Sequence, residues 1–255
     1  MTTAVKLDPV YDLALRMGDN ALILGQRVSE WCGHAPVLEE DIAMANVGLD
    51  LIGQAKMWFD YAGAIEAAGK SADEIALLRD ARAFTNALLV EQPNGDYAHT
   101  LMRQFLFDAW HLPMLKGLAA SKDERIAEIA AKSAKEATYH LERSEDFVVS
   151  LGDGTAESHD RMQAALDALY PFAGELTLAD DIDRDLAARG LAPDLSVIAA
   201  AHLAKIEAVI TEATLKLPSG GAVRKGGKQG LHSEHLGFIL ADMQWLQRAY
   251  PGAEW

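Results

Sequence analysis

The stretch DERIAEIAAKSAKEATYHLERSEDFVVSL, residues 123–151, decides the fold class of this chain. Its apolar and small residues recur in steps of three and four, which predicts one long amphipathic helix. The helix carries Glu136 at the edge of this stripe, while Tyr139 points away from it. The stripe itself consists of Ile126, Ala130, Ser133, Ala137, His140, Ser144, Phe147 and Leu151. One imidazole and one carboxylate are therefore expected to face a core.

The rest of the chain also predicts helices, because alanine and leucine are abundant and alternating β-branched runs are scarce. We expect a second helix that is apolar nearly all round and therefore buried between its neighbours. Four long helices followed by shorter ones predict an all-α, long-helix bundle with additional C-terminal helices, in a single domain over residues 1–255. The expected helices lie at about 11–32, 38–68, 80–90, 96–118, 123–151, 156–174, 179–188, 194–217 and 233–249.

Charge and cysteine content exclude several classes of protein. The 255 residues carry a formal net charge of -15, which argues against nucleic-acid binding and against anionic membranes. No run approaches the roughly 18 apolar residues that a membrane span requires. The single cysteine, Cys32, excludes a disulfide within the chain, fits a reducing cytoplasm, and is expected to be a packed thiol.

Each long helix offers a carboxylate to the core, as helical bundles with a di-metal site do. Such bundles take one carboxylate from each of two helices and a Glu-x-x-His pair from each of the other two. Here Gly53 and Tyr139 occupy the positions where histidines would follow Asp50 and Glu136. The candidate residues form a degenerate cluster, namely Asp19, Asp50, Asp108, Glu136, His111 and His140.

Three interpretations of this cluster follow, of which the simplest is that some of these residues are merely exposed to solvent. The favoured interpretation is a metal-free buried polar network, in which Asp19, Gln26, Asp108, Glu136 and His140 hydrogen-bond to one another. The alternative is a di-metal oxygenase that activates O₂ with these ligands.

Other motifs have more than one interpretation. The loop RKGGKQG, residues 224–230, places Arg224, Lys225 and Lys228 among glycines, which suits a surface loop, a protein contact or an anion site. Asp96, with His99 three residues later, follows a turn signal and is expected to be a helix N-cap. The pair His232 and His235 is likewise expected at a helix entry, with Ser233 as the cap. For both pairs the alternative is a set of metal ligands, because an acid or histidine three residues from a histidine has ligand spacing.

Long blocks of the chain resemble a known family. The blocks are RMGDNALILGQRVSEWCGHAP (16–36), ANVGLDLIGQA (45–55), LLVEQPNGDYA (88–98), EATYHLERSEDFVVSLGDGT (136–155), GLHSEHLG (230–237) and MQWLQRAYPGAEW (243–255). They are similar to the C subunits of the bacterial phenylacetyl-CoA 1,2-epoxidases, the structural subunits of multicomponent phenylacetyl-CoA monooxygenases. The resemblance extends over nearly the whole chain.

The resemblance implies a ferritin-like bundle that is not catalytic and holds no cofactor. It implies a cytoplasmic complex for aerobic phenylacetate degradation, in which the related catalytic A subunit holds a di-iron centre and epoxidises the aromatic ring of phenylacetyl-CoA. A reductase subunit with a flavin and an iron–sulfur cluster supplies electrons. Self-association stays open. We expect Trp58, Phe59 and Trp110 either at the interface with the A subunit or in the core, and Trp255 on the bundle or in a partner.

Overall fold

The computed structural model describes residues 8–66 and 69–253, and in these ranges it contains nine α-helices, three short 3₁₀ helices and no β-strand. The α-helices are α1 (Pro9–Ser29), α2 (Leu38–Ile65), α3 (Ala72–Leu77), α4 (Tyr97–Leu118), α5 (Glu124–Gly152), α6 (Ala156–Ala173), α7 (Asp181–Arg189), α8 (Leu195–Glu212) and α9 (Glu234–Ala249). The 3₁₀ helices are Ala81–Ala83, Gly174–Thr177 and Gly227–Gln229. The all-α prediction is confirmed. Trp255 lies outside the described residues.

Two pairs of long helices form the bundle. α1 packs along α2 and α4 packs along α5, while α2 also contacts α5. The helices of each pair are joined by short turns, whereas α2 and α4 are joined by a long crossover, as in ferritin-like bundles. α6 and α8 pack against α4 from outside, and α7 and α9 pack against α1. No helix in the described ranges is long and apolar enough to span a membrane.

The crossover from α2 to α4 is not the helix that was predicted near residue 80. Residues 78–96 are irregular apart from one 3₁₀ turn, although most of 84–92 is buried. Side chains from elsewhere supply acceptors for this backbone, since the N–H of Thr85 donates to Asp19 at 2.8 Å and the N–H of Leu88 donates to Glu175 at 2.8 Å. These contacts replace the bonds that a helix would make within itself.

The expectation that α2 is buried on all sides is wrong. Leu38, Ile42 and Leu49 retain 71%, 54% and 67% exposure and form a stripe on the outer face of α2. The helices that are buried nearly all round are α1 and α4. α4 is enclosed because α5, α6 and α8 all cover it.

The three aromatic residues considered for an interface lie in the interior of the bundle. Trp58, Phe59 and Trp110 are buried in the hydrophobic core, so their placement at an interface was wrong and the alternative of core packing is confirmed.

Cys32 is exposed, against the expectation of a packed thiol. The reason is that α1 ends at Ser29, which leaves Cys32 in the surface turn before α2.

Both predicted helix entries occur where expected. Asp96 is the N-cap of α4 and accepts from the N–H of His99 at 3.0 Å. Ser233 is the N-cap residue of α9, but its side chain makes no capping bond. Its N–H instead donates to Oε1 of the buried Glu91 at 2.6 Å.

His232 joins the entry of α9 to the crossover through both ring nitrogens. Nδ1 lies 2.9 Å from Oε2 of Glu91, and Nε2 lies 2.9 Å from the carbonyl oxygen of Phe84. Burial acts to lower the pKa of His232. The two hydrogen bonds and the negative charges of Glu91 and Asp19 together raise the pKa by more than burial lowers it, so the pKa of His232 is raised overall. Both neighbours are acceptors, so the fully bonded ring is an imidazolium.

We therefore expect His232→Gln to destabilise the protein more at pH 6 than at pH 9. A histidine with a raised pKa in the folded state contributes its full stability below its ordinary pKa of about 6.5 and loses it as the pH rises through the folded value. Urea unfolding of the variant and the unaltered protein at each pH measures the loss of unfolding free energy. This loss should be about 1–3 kcal/mol at pH 6 and smaller at pH 9.

His235→Gln is the matched control, because this half-buried histidine in the first turn of α9 has no hydrogen-bonding side-chain partner in the described chain. An equal cost for His232→Gln at both pH values would show that the ring is neutral in the folded protein.

Candidate functional site

Two polar contacts join α2 and α5 inside the bundle. Nε2 of His140 lies 3.0 Å from Oδ2 of Asp50, and Gln54 donates from Nε2 to Oε2 of Glu136 at 2.9 Å. His140 and Gln54 are buried, whereas the side chain of Asp50 keeps 37% of its exposure. The polar cluster therefore reaches solvent at Asp50.

α4 adds a fully buried carboxylate. Asp108 accepts from Nε2 of Gln104 at 2.8 Å and from Oγ of Ser144 at 2.9 Å. Burial raises the pKa of Asp108 to about 6, although the charge of His140 and the two hydrogen bonds act in the opposite direction. The ionised form of Asp108 therefore opposes folding at neutral pH.

His111 lies one turn after Asp108 and is also fully buried. Its ring packs against Phe107 and Trp110, with centroid distances of 4.8 Å and 5.8 Å. Burial, and to a lesser degree the charge of His140, lowers the pKa of His111 to about 3. His111 is therefore a neutral imidazole across the physiological range.

The structure places Asp19 outside this cluster. Its carboxylate forms an ion pair with Arg79 and accepts from the N–H and the hydroxyl of Thr85, at 2.8 Å and 3.0 Å. Asp19 thus holds the crossover segment. The expected hydrogen bonds among Asp19, Gln26, Asp108, Glu136 and His140 are not found, because Asp108, Glu136 and His140 each bond to other side chains of α2, α4 and α5. Gln26 is only half-buried.

The side chains present do not match the donor set of a di-metal bundle. No buried residue of α2 or α5 is an aspartate or a glutamate, so no buried pair of positions three residues apart on either helix contains a carboxylate. Leu51 with Gln54 on α2, and Ala137 with His140 on α5, are examples of such buried pairs. Gly53 is exposed on α2. The structure contains no group of three His, Cys, Asp or Glu side chains that could hold a metal ion within residues 8–66 and 69–253.

Tyr139 is also outside the core, with 50% exposure, as its place on the helix predicts. Among the helices of the described ranges, only α4 has a buried acid and histidine at the required spacing, in Asp108 and His111. Two metal ions would need such a pair on a second helix.

The same region contains several buried polar atoms that lack a hydrogen-bond partner among the described residues. Such atoms cost about 1–3 kcal/mol each when they stay unsatisfied. They are Gln54 Oε1, Gln104 Oε1, His111 Nδ1, Ser133 Oγ and His140 Nδ1. The hydrogen bonds of the described residues therefore leave this cluster incompletely satisfied.

The glycine-rich loop binds a carboxylate of its own chain. The N–H groups of Gly226 and Gly227 donate to Oε1 of the buried Glu175 at 2.7 Å and 2.8 Å. Lys228 donates to Oδ2 of Asp183 at 3.0 Å and to a backbone carbonyl. The backbone that was considered as an anion cradle thus already holds Glu175.

The two other cations of the loop face outward. The guanidinium of Arg224 lies 5.0 Å from the centroid of the Phe172 ring. Lys225 is exposed and has no side-chain partner in the described ranges.

Sequence reasoning missed the residues that organise the crossover, namely Glu91, Glu175 and Arg79. Glu175 and Glu91 are buried and accept bonds from segments more than 50 residues away in the sequence, as in the 51-residue separation of Gly226 from Glu175. Their neighbours in sequence carry no pattern that signals such distant partners.

Comparison with known proteins gives two matches. The family described as phenylacetic acid catabolic protein matches residues 1–255. A protein of Escherichia coli (strain K12), described as the C subunit of 1,2-phenylacetyl-CoA epoxidase, is 50% identical over 241 residues, which cover 94% of this chain and 97% of that protein.

We expect Asp108→Asn to stabilise the protein at pH 7.5 and to have little effect at pH 4. With a pKa of about 6 in the fold and 3.8 as its ordinary value, Asp108 lowers stability as the pH rises between these values. The amide removes this charge and keeps the size of the side chain, so the gain should be on the order of 1–3 kcal/mol.

Chemical denaturation at both pH values measures this effect. Glu142→Gln, which removes an exposed carboxylate on α5, is the control and should change nothing at either pH. A loss of stability in Asp108→Asn at pH 7.5 would show that the folded protein needs the charge, as a metal ligand would.

Proposed function

The chain belongs to the family of phenylacetic acid catabolic proteins, and from this premise we propose that it is the structural subunit of a phenylacetyl-CoA 1,2-epoxidase complex. In this proposal it binds and stabilises the di-iron A subunit in the cytoplasm, during aerobic phenylacetate degradation. It carries no cofactor, because the iron belongs to the A subunit, whereas the flavin and iron–sulfur cluster belong to the reductase. It is not catalytic alone.

One observation supports the structural role most directly. No core-facing position of α2 or α5 holds a carboxylate, and the buried residues there include Leu51, Gln54, Ala137 and His140. The carboxylate of Asp19 already forms an ion pair with Arg79 and accepts a hydrogen bond from Thr85. A chain with these side chains has the bundle of an oxygenase but lacks the ligands that two irons require.

A second candidate function, a metal-dependent oxygenase in its own right, is favoured by one observation. Asp108 and His111 are fully buried at the spacing of a ligand pair, and the charge of His140 acts on both. A site built from them would need a further carboxylate to move toward them from the α2–α5 contact.

Metal content separates the two candidates. We expect substoichiometric iron and manganese in the chain purified from metal-supplemented cells, because its donor set is incomplete. Elemental analysis measures this, and the A subunit from the same cells is the positive control, with about two irons. About two metals per chain would support the second candidate.

Reconstitution tests the structural role. We expect the chain to form a stable complex with the purified A subunit, which should become more soluble and more active on phenylacetyl-CoA when the chain is present. Size-exclusion chromatography and O₂ consumption with the reductase measure these effects. The chain with the reductase alone should consume no O₂, and a chain that neither binds nor stabilises the A subunit would contradict the proposal.

A further inference from the structure

The C-terminal helix α9 has an outer face of aromatic and acidic side chains. Phe238 and Trp245 retain 66% and 62% exposure, although both are large apolar residues. Tyr250, just after the helix, retains 55%. Across the described ranges the only other exposed aromatic residue is Tyr139, so exposed aromatic area is concentrated at α9. Aromatic residues are enriched in protein interfaces, and exposed apolar patches of this kind mark them.

Two carboxylates lie on the same face of α9. At 100° per residue, Glu234 and Asp242 fall within the arc that contains Phe238 and Trp245. Both carboxylates are exposed, and neither has a side-chain hydrogen bond or ion pair with any described residue. The face therefore alternates acid and aromatic along the helix, and the one basic residue at its edge, Arg248, already pairs with a carboxylate of the crossover at 3.0 Å.

The inner face of α9 holds this surface rigidly. Leu236, Ile239 and Leu240 are buried against the bundle. Gln244 donates to the carbonyl oxygens of Ala76 and Arg79 at 3.1 Å and 3.0 Å. The aromatic side chains therefore lie on a helix that is already packed against the bundle, so binding a partner costs little conformational entropy of the backbone.

We propose that the outer face of α9 is the docking surface for a basic, amphipathic helix of the A subunit. The partner helix would bury Phe238 and Trp245 under apolar side chains and place lysine or arginine beside Glu234 and Asp242. These two acids are eight residues apart, which corresponds to about 12 Å along the helix. The inference rests on the proposed function, since it names where the chain contacts its partner.

Charge selects this occupant over a second copy of the chain. A two-fold contact between two α9 faces would bring Asp242, which lies between the two aromatics, close to the like charge of its counterpart. The net charge of -15 adds a general repulsion between copies. A basic partner is attracted by the same charges.

The exposed stripe of α2 is the competing surface. Leu38, Ile42 and Leu49 are exposed there, but the charged residues that follow on the same stripe, Lys56 and Asp60, already pair with each other at 2.7 Å. The charges of the α2 stripe are therefore already paired within the chain and are not available to a partner. The α2 stripe serves as the control surface in the binding experiment.

The experiment measures binding of the purified chain to the purified A subunit by titration calorimetry. We expect Trp245→Glu and Phe238→Glu each to weaken binding about tenfold or more, because buried aromatics carry most of the binding energy of an interface. Asp242→Lys should weaken binding about two- to fivefold at low salt, and this difference should disappear near 1 M salt.

Two matched controls introduce glutamate at equally exposed apolar positions. Val197→Glu on α8, at 64% exposure, and Leu49→Glu on α2, at 67%, should leave binding unchanged. Circular dichroism should show the same unfolding temperature for all variants, because none of these side chains is buried. If Trp245→Glu lowers the unfolding temperature, its weaker binding could reflect a folding defect. The salt-dependent binding of Asp242→Lys then tests the docking surface, because this substitution is at an exposed position.

Each outcome is decisive. Retained binding in the α9 variants, or lost binding in Leu49→Glu alone, would overturn the assignment of α9 while leaving the proposed function intact. Loss of a homodimer in Trp245→Glu would identify a second copy as the occupant and overturn the assignment as well. Failure of the unaltered chain to bind the A subunit would contradict the proposed function itself.

Discussion

A buried stretch of backbone that is not helical must have its N–H groups bonded, and this requirement organises the whole molecule. Residues 84–92 of the crossover between α2 and α4 pass through the interior without forming a helix, so the N–H groups of Val90 and Gln92 find carbonyls within the segment but other amides do not. Carboxylate and amide side chains from distant helices accept them instead: Asp19 for Thr85, Asn20 for Ala87, and Glu175 for Leu88. Glu175 also accepts from Gly226 and Gly227, so a single buried carboxylate ties the crossover to the loop that leads into α9.

The same requirement explains how much could be predicted from the sequence. Helix positions were predicted to within a few residues in most cases, because periodicity and caps such as Asp96 are local signals. The irregular crossover was not predicted, because residues 80–90 have a helical composition and their acceptors lie far away in the sequence. The burial of α2 was also wrong, since apolar residues such as Leu49 on its outer face cannot be distinguished by composition from residues that meet another helix.

The candidate site shows the same division between local and distant information. The sequence placed His140 and Asp108 in the core correctly, since each lies in the middle of an apolar stripe. It could not show that Asp19 is held by Arg79, because an ion pair across 60 residues has no local pattern. It also assigned histidine positions on α2 and α5 relative to Asp50 and Glu136, whereas both of these carboxylates are only half-buried and no carboxylate of either helix is buried.

The bundle thus keeps a polar region inside and an aromatic face outside, and neither arrangement favours the stability of an isolated chain. Asp108 opposes folding when it is ionised, and several polar atoms near it have no partner among the described residues. Phe238 and Trp245 leave apolar area in water that the core could have buried. Both features fit the proposed structural subunit, a bundle without a complete set of metal ligands that binds a partner protein. In that proposal a partner would bury Phe238 and Trp245, and the polar interior would serve only to pack the helices together.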